Sequence, residues 1–271
     1  MDVGRIIGVG IGLGSMIISI FLEGGQLAAY WNIAAFVIIA GGSLSAVLLA
    51  VGLEEAKRMP ALVKITFFKE KTPDAKKLLK TLVELANIVR KDGYMGLEPK
   101  IKSISDPFLK SGLKAIADGF NESSIMELLE TEIQNMSKRH KSGAEIFNMI
   151  GGYAPTMGII GTVLGLVNML MHMGDLGSAG LGHAVAVAFI ATLYGIIFAN
   201  LIFLPMGSAL KMKSDKEIAH KKVILRGVLL LHAGESPRNL EDKIKVMLGI
   251  DKNFTVEIKE TKDATAAKKG K

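Results

Sequence analysis

Residues 154 to 166, APTMGIIGTVLGL, carry no formal charge, yet they include Pro155, Thr162 and three glycines, Gly158, Gly161 and Gly165. Each of these works against a helix in a membrane. Proline removes a backbone donor and frees the carbonyl one turn back, and each glycine gives up helix propensity. Pro155 and Thr162 lie two turns apart, so they fall on nearly the same helical face, which Gly158 and Gly165 share. A face with small residues, one hydroxyl and one freed carbonyl lets a polar partner helix come close and offers oxygen atoms to a passing cation. Ordinary helix packing fits the same residues, with the Thr162 hydroxyl bonded back to its own helix.

The other apolar runs add only hydroxyls and amides: Ser15, Ser43, Asn168, Thr192, Tyr194 and Asn200, with His172 and His183 at one edge. None holds Asp, Glu, Lys or Arg. Ion pathways across a bilayer generally use an ionisable relay, often a carboxylate. If this chain conducts ions, a second polypeptide must bring that carboxylate. Pro205, near the end of the last run, is a candidate kink or hinge.

Other chemistry has little support. With no Cys there is no disulfide, thiolate metal site or cysteine nucleophile. No Ser/His/Asp arrangement, phosphate-binding loop or metal-spaced His pair stands out, so the chain reads as a non-enzyme with no resident cofactor or metal. The early GVGIGLGS meets a loose glycine pattern, but it lies within an apolar run and has no strand before it. Its Gly8/Gly12 and Gly10/Gly14 pairs instead suit close helix packing. The net charge of +7 is not a nucleic-acid signal, because only four Tyr and one Trp are available for stacking and no basic stretch is interleaved with aromatics.

These residues have to be positioned by membrane helices. Uncharged stretches of 17, 30, 29 and 35 residues lie between Arg5 and Glu23, Glu23 and Glu54, Glu145 and Asp175, and Asp175 and Lys211. Four crossings fit, near 6–22, 29–52, 148–171 and 182–208, each long enough for a bilayer. A signal peptide fits the first run poorly: MDVGR is a weak basic start, and no convincing cleavage site follows. The connectors EGGQ and HMGDLGSAGLG hold none of the 33 basic residues. The positive-inside rule therefore places both termini and the 54–145 segment in the cytoplasm.

Within 54–145, Leu78, Leu82, Leu85 and Val89 repeat at helical spacing, and a second helical pattern begins at Ile125. Between them KDGYMGLEPK predicts a break, flanked by Arg90 and Glu98. After Lys211 the last span runs on as a helix through Leu231. Ser236 then caps a new helix that starts with Pro237. The expected architecture is all-α: membrane helices one and two in 1–53, a cytoplasmic helical segment in 54–145, helices three and four in 146–210, C-terminal cytoplasmic helices in 211–251 and a polar, Lys-rich, disordered tail in 252–271.

Four ordered motifs resemble the A subunit of the bacterial flagellar stator, the MotA/PomA family: GGYAPTMGIIGTVLGLVNML, AVAVAFIATLYGIIFANLIFLP, RKDGYMGLEPKI followed by DPFLKSGLKAIADG, and AGESPRNLEDKIKVML. With the two-plus-two span layout, the resemblance covers nearly the whole chain short of its Lys-rich end. It implies a multi-pass protein of the bacterial inner membrane in which five A chains surround two B chains. The B chain's single membrane helix supplies an essential Asp, and its outer domain grips peptidoglycan. Ion flow past that Asp turns the A ring. By position, Pro155 and Pro205 match the family's two functional prolines. Arg90 and Glu98 match the charged pair that meets the rotor switch protein FliG, and Thr192 matches a Thr of the ion pathway. Thr162 stands where sodium-driven members carry Thr and many proton-driven members carry Ala. Ala191, where the sodium type often has a second Thr, departs from that pattern. The resemblance thus favours transported sodium over the proton.

Two rival readings are an energiser of the ExbB/TolQ type and a self-contained secondary transporter. The first typically has three spans and lacks the RKDGYMGLE region. The second calls for internal pseudo-symmetry or intramembrane charges, and the sequence displays neither.

Overall fold

A computed structural model describes residues 3–68, 74–175, 177–251, 254 and 256. Among them every regular element is helical. The chain divides into two compact units, Met1–Glu70 with Ser137–Asp215, and Lys71–Met136 with Lys216–Lys271.

The first unit holds α1 (Val3–Leu22), a short 3-10 turn (Leu27–Tyr30), α2 (Ile33–Ala56) and α3 (Met59–Phe67). It also takes residues 137–171 of α7 (Glu122–Met171), α8 (Ser178–Ile197), a π-helical turn (Phe198–Phe203) and the start of α9 (Leu204–His232). Among the described residues four helical stretches are long and apolar enough to cross a membrane: Val3–Leu22, Leu27–Ala56, Glu122–Met171 and Gly180–His232. Asn32 caps α2 by accepting from the Ala35 N–H. Ala35, Ile39, Ser43 and Val47 form the buried stripe of α2 at i, i+4 spacing. Gly52, at φ 76° and ψ 169°, breaks α2 before its last residues, a conformation that only glycine adopts cheaply. By contrast, α1 buries none of its residues. Of its paired glycines only Gly12 meets a neighbour, the Leu201 side chain, and Gly8, Gly10 and Gly14 face open space within this chain. The expectation of tight packing along all four is thus not met inside one chain.

The second unit is built around a buried apolar core of helices. It contains α4 (Ala75–Asp92), a 3-10 turn (Tyr94–Gly96), α5 (Leu97–Ile101), α6 (Pro107–Ala117), residues 122–136 of α7, the later part of α9 and α10 (Pro237–Leu248). Leu79, Leu82, Leu85, Leu97, Leu113, Ile125, Ile224 and Leu240 are among its buried residues. Burial of each such side chain is worth about 1.5–3 kcal/mol. Side-chain caps fix the helix starts. Asp74 accepts from Lys76 and Lys77, Asp106 from Phe108 and Leu109, and Ser236 from Asn239. Burial alone pushes the Asp106 carboxyl upward, but those two N–H donors and Lys221, 3.2 Å away, outweigh it and hold the group below its ordinary value.

The predicted break after α4 is present: Gly93, at φ 68°, ends the helix and returns its N–H to Val89 O. The chain passes through an exposed turn at residues 93–95 and re-enters helix at α5. The Tyr94 hydroxyl donates to the His232 carbonyl, and the two rings stack at 6.1 Å. One difference concerns α7. The patterns beginning at Ile125 and at residue 148 belong to one unbroken 50-residue helix. The polar residues between them are no obstacle to helix, because Lys, Arg and Glu all have good helix propensity. Of the expected disordered tail, all but residues 254 and 256 lies outside the described residues.

Candidate functional site

The membrane unit concentrates its glycines where α7 meets α8. A Cβ placed on Gly158 would sit 2.9 Å from Ala191 O, one on Gly161 2.8 Å from Ala191 Cβ, and one on Gly165 2.9 Å from Ala188 Cβ. From the other side, a Cβ on Gly195 would lie 2.5 Å from Ala154 O and 3.1 Å from Pro155 Cα. The two backbones therefore run in direct contact over several turns. Small residues permit that approach between membrane helices.

The close approach lets two hydroxyls meet. Thr162 Oγ1 lies 2.6 Å from Thr192 Oγ1, 3.0 Å from Ala188 O and 3.1 Å from Gly158 O. Each hydroxyl has one proton to give. When Thr162 donates to one of the carbonyls, Thr192 donates to Thr162. The Thr162 hydroxyl bonds back to its own helix, as ordinary packing would have it, and also reaches across to α8. The result is a cluster of four neutral oxygen atoms on half-buried side chains and on the backbone. Hard cations take ligands of this kind, although the cluster supplies no negative charge. Among the described residues there is no group of three His, Asp or Glu that could hold a metal ion.

Pro155 lies on α7 one turn before Gly158, in contact range of Gly195, and has no N–H to offer Gly151 O. Pro155, Gly158, Gly161, Thr162, Gly165 and Thr192 are thereby gathered at one helix crossing. Pro205 is not part of it. It is exposed and stands just after the π-helical turn at the start of α9. Arg90 and Glu98 belong to the other unit, exposed in the last turn of α4 and the first turn of α5. Among the described residues neither forms an ion pair, whereas Lys100 beside Glu98 pairs with Glu84 at 3.5 Å.

Two features had no place in the sequence-based site. The first is the π turn itself. Pro205 cannot donate, and its ring crowds the carbonyl one turn back, so widening the preceding turn relieves both problems. The proline was a usable signal for it. The second is Tyr194, two residues beyond Thr192. Its hydroxyl donates to Tyr30 O at 2.5 Å and accepts from the Asn32 N–H at 3.3 Å. The Asn32 amide in turn reaches Val187 O at 3.4 Å. The connector between α1 and α2 is thus tied to α8. A lone phenol in an apolar run was the only hint of this.

Comparison with known proteins bears on this arrangement. Residues 100–222 match the model of the MotA/TolQ/ExbB proton channel family, and residues 6–93 match that of the Motility protein A N-terminal region. The chain is 35% identical over 248 residues to Motility protein A of Bacillus subtilis, covering 92% of this chain and 91% of that one. It is 31% identical over 246 residues to Chemotaxis protein PomA of Vibrio alginolyticus, covering 90% and 94%. The fold is similar to that of C. jejuni MotAB, with a TM-score of 0.85 and 25% identity over 96% of this chain and 100% of the other. It is also similar to the flagellar MotAB stator complex from Bacillus subtilis, with a TM-score of 0.82 and 35% identity over 88% and 92%.

Proposed function

The chain belongs to the MotA/TolQ/ExbB family, and from that premise we propose that it is the A-type subunit of a flagellar stator, converting an ion gradient into torque on a rotor. It works with a B-type subunit that brings the membrane carboxylate and the peptidoglycan anchor, in a ring of five A chains around two B chains. It resides in the bacterial inner membrane with both termini in the cytoplasm, the side its Lys and Arg residues favour. It is not an enzyme, and its cargo is sodium in preference to the proton.

The observation that carries this reading is the Thr162–Thr192 oxygen cluster, set in spans that have no carboxylate of their own. The hydroxyls and the Gly158 and Ala188 carbonyls replace part of the shell of a partly dehydrated sodium ion, and the B chain supplies the charge. A hopping proton needs no such ligands. Four long apolar helices rather than three, together with the charged turn at Arg90 and Glu98, favour the motor over an ExbB/TolQ-type energiser.

Two experiments test it. Swimming of cells dependent on this chain should track external sodium, and Thr162→Ala should raise the sodium needed for half-maximal speed about fivefold, as for one lost hydrogen bond. Undiminished speed in sodium-free medium rejects sodium as the cargo. Separately, Arg90→Glu or Glu98→Lys should slow swimming several-fold while leaving the amount of membrane-assembled complex unchanged, with recovery from a compensating charge change on the rotor partner FliG. Full swimming speed in both variants would remove these residues from the rotor surface.

A further inference from the structure

The membrane unit also holds a pocket of about 340 Å³, whose lining includes Phe36 and Ser43 of α2, Ile150 of α7, and Phe198 and Phe203 of the π turn. Pro155, Thr162 and Thr192 take no part in it. Along α2 the lining runs from Phe36 to Leu44, the middle of the apolar Leu27–Ala56 stretch, where the medium around a spanning helix is hydrocarbon. Phe36 and Leu44, 51% and 44% exposed, leave a side opening toward that medium. Phe36 and Phe198 meet edge to face at 5.8 Å, and Phe198 and Phe203 do so at 6.3 Å, so aromatic rings make up much of the wall.

Ser43 is the sole polar residue in that lining. It is 2% exposed, and among the described residues its hydroxyl is the one buried side-chain oxygen or nitrogen without a hydrogen-bond partner. A hydroxyl in a helix ordinarily escapes this by donating to the carbonyl one turn back, as Thr66 does to Leu62 O and Thr162 to Gly158 O. Ser43 makes no such bond, so it carries a desolvation cost with nothing inside the chain to offset it. Water is a poor remedy, because a held water needs two to four polar partners and the lining offers one polar side chain. Turning the hydroxyl about χ1 toward a guest gives up no existing bond.

We propose that this pocket binds a neutral, membrane-dissolved molecule with an apolar body and one oxygen that accepts a hydrogen bond from Ser43. Long-chain alcohols and quinones share that chemistry. The Ser43 hydroxyl donates to the guest's hydroxyl or carbonyl oxygen, the body rests against Phe198 and Phe203, and the tail leaves between Phe36 and Leu44. A plain acyl chain suits the walls equally well but leaves Ser43 unpaired. A charged head finds no counter-charge, since no lining residue is ionisable. The guest bears on the π turn that precedes Pro205. The proposal needs only the membrane placement of the chain and does not depend on its driving a rotor.

The test is photolabelling of the full-length chain in membranes of the cells that produce it, using an octanol that carries a photoreactive diazirine, with the adducts mapped by mass spectrometry. Saturable adducts are expected on Phe36, Phe198 or Phe203. Excess dodecanol, or a quinone with a decyl tail, should lower them about fivefold more than dodecane at the same membrane concentration, because one neutral hydrogen bond separates the two kinds of competitor. The stronger of the two oxygen-bearing competitors identifies the natural class. Ser43→Ala should cut the adducts about fivefold while the purified chain melts at the parent temperature or above it, since only an unpaired hydroxyl is lost. Ala40→Leu, which fills the pocket, should abolish the adducts; if that variant does not accumulate, Ser43→Ala decides alone. Equal competition by dodecane, unchanged labelling in either variant, or a destabilised Ser43→Ala chain overturns the proposal. So does the absence of saturable adducts in the pocket, the result if an acyl chain or a second copy of this chain occupies it.

Discussion

A Pro155→Ala chain is expected to assemble normally and to melt at the parent temperature or above it, while the swimming it supports falls at least about tenfold, the equivalent of about 1.4 kcal/mol in a rate. The two halves follow from the same atom. Alanine restores an N–H that bonds to Gly151 O and removes a ring that crowds the preceding turn, so the static helix gains. The gain is smaller than in water, because neighbours in a membrane already help to satisfy freed backbone groups. Under the proposed function, however, the α7–α8 crossing changes shape as the ion passes. Pro155, at the contact with Gly195, leaves the ladder of α7 one hydrogen bond short at the crossing. The check is thermal melting of the purified complex beside swimming speed of a strain complemented with the variant. Normal swimming sinks the idea that Pro155 serves motion, and loss of the complex together with swimming makes the residue merely structural.

Gly195→Ala should have the opposite character, losing stability first. Its Cβ would be driven to 2.5 Å from Ala154 O, and both that atom and Pro155 Cα belong to backbone that cannot rotate aside. The helices must separate, which strains the Thr162–Thr192 hydrogen bond as well. A cost of about 3 kcal/mol is expected, at the upper end for overpacking. Gly8→Ala, with nothing within 4 Å, is the matched control and should be neutral or gain up to about 1 kcal/mol from helix propensity. Melting temperatures of the two variants, measured side by side, decide the matter. If they agree, the described crossing of α7 and α8 is wrong.

How much of this was open to a reader of the sequence depends on the kind of force involved. The four spans were legible because uncharged length is a one-dimensional property, and the structure has four helices that qualify. Caps at Ser236 and the stop at Gly93 were legible because they depend on neighbours only two or three residues away. The meeting of Thr162 with Thr192 was not, since 30 residues and a reversal of direction separate them. Spacing put Thr162 on a face with Gly158 and Gly165 but gave no means of telling which helix that face would meet. The Gly52 break escaped notice for a different reason: a glycine in an apolar run reads as a packing residue until its φ is known. Arg90 and Glu98 sit on an exposed turn where geometry adds little, so their role rests on family likeness and awaits the charge-reversal experiment.

The Tyr194 hydroxyl, shared between Tyr30 O and the Asn32 N–H, has a mechanical corollary. It moors the last turn of α8 to the strap joining the first two helices, directly before the π turn. Bending is then taken up just beyond the mooring, where the wide turn at Phe198–Phe203 and the missing donor at Pro205 leave the spine most pliable. The mooring and the flexure thus both follow Thr192 along the chain, and the threonine pair stands on the moored side of the flexure.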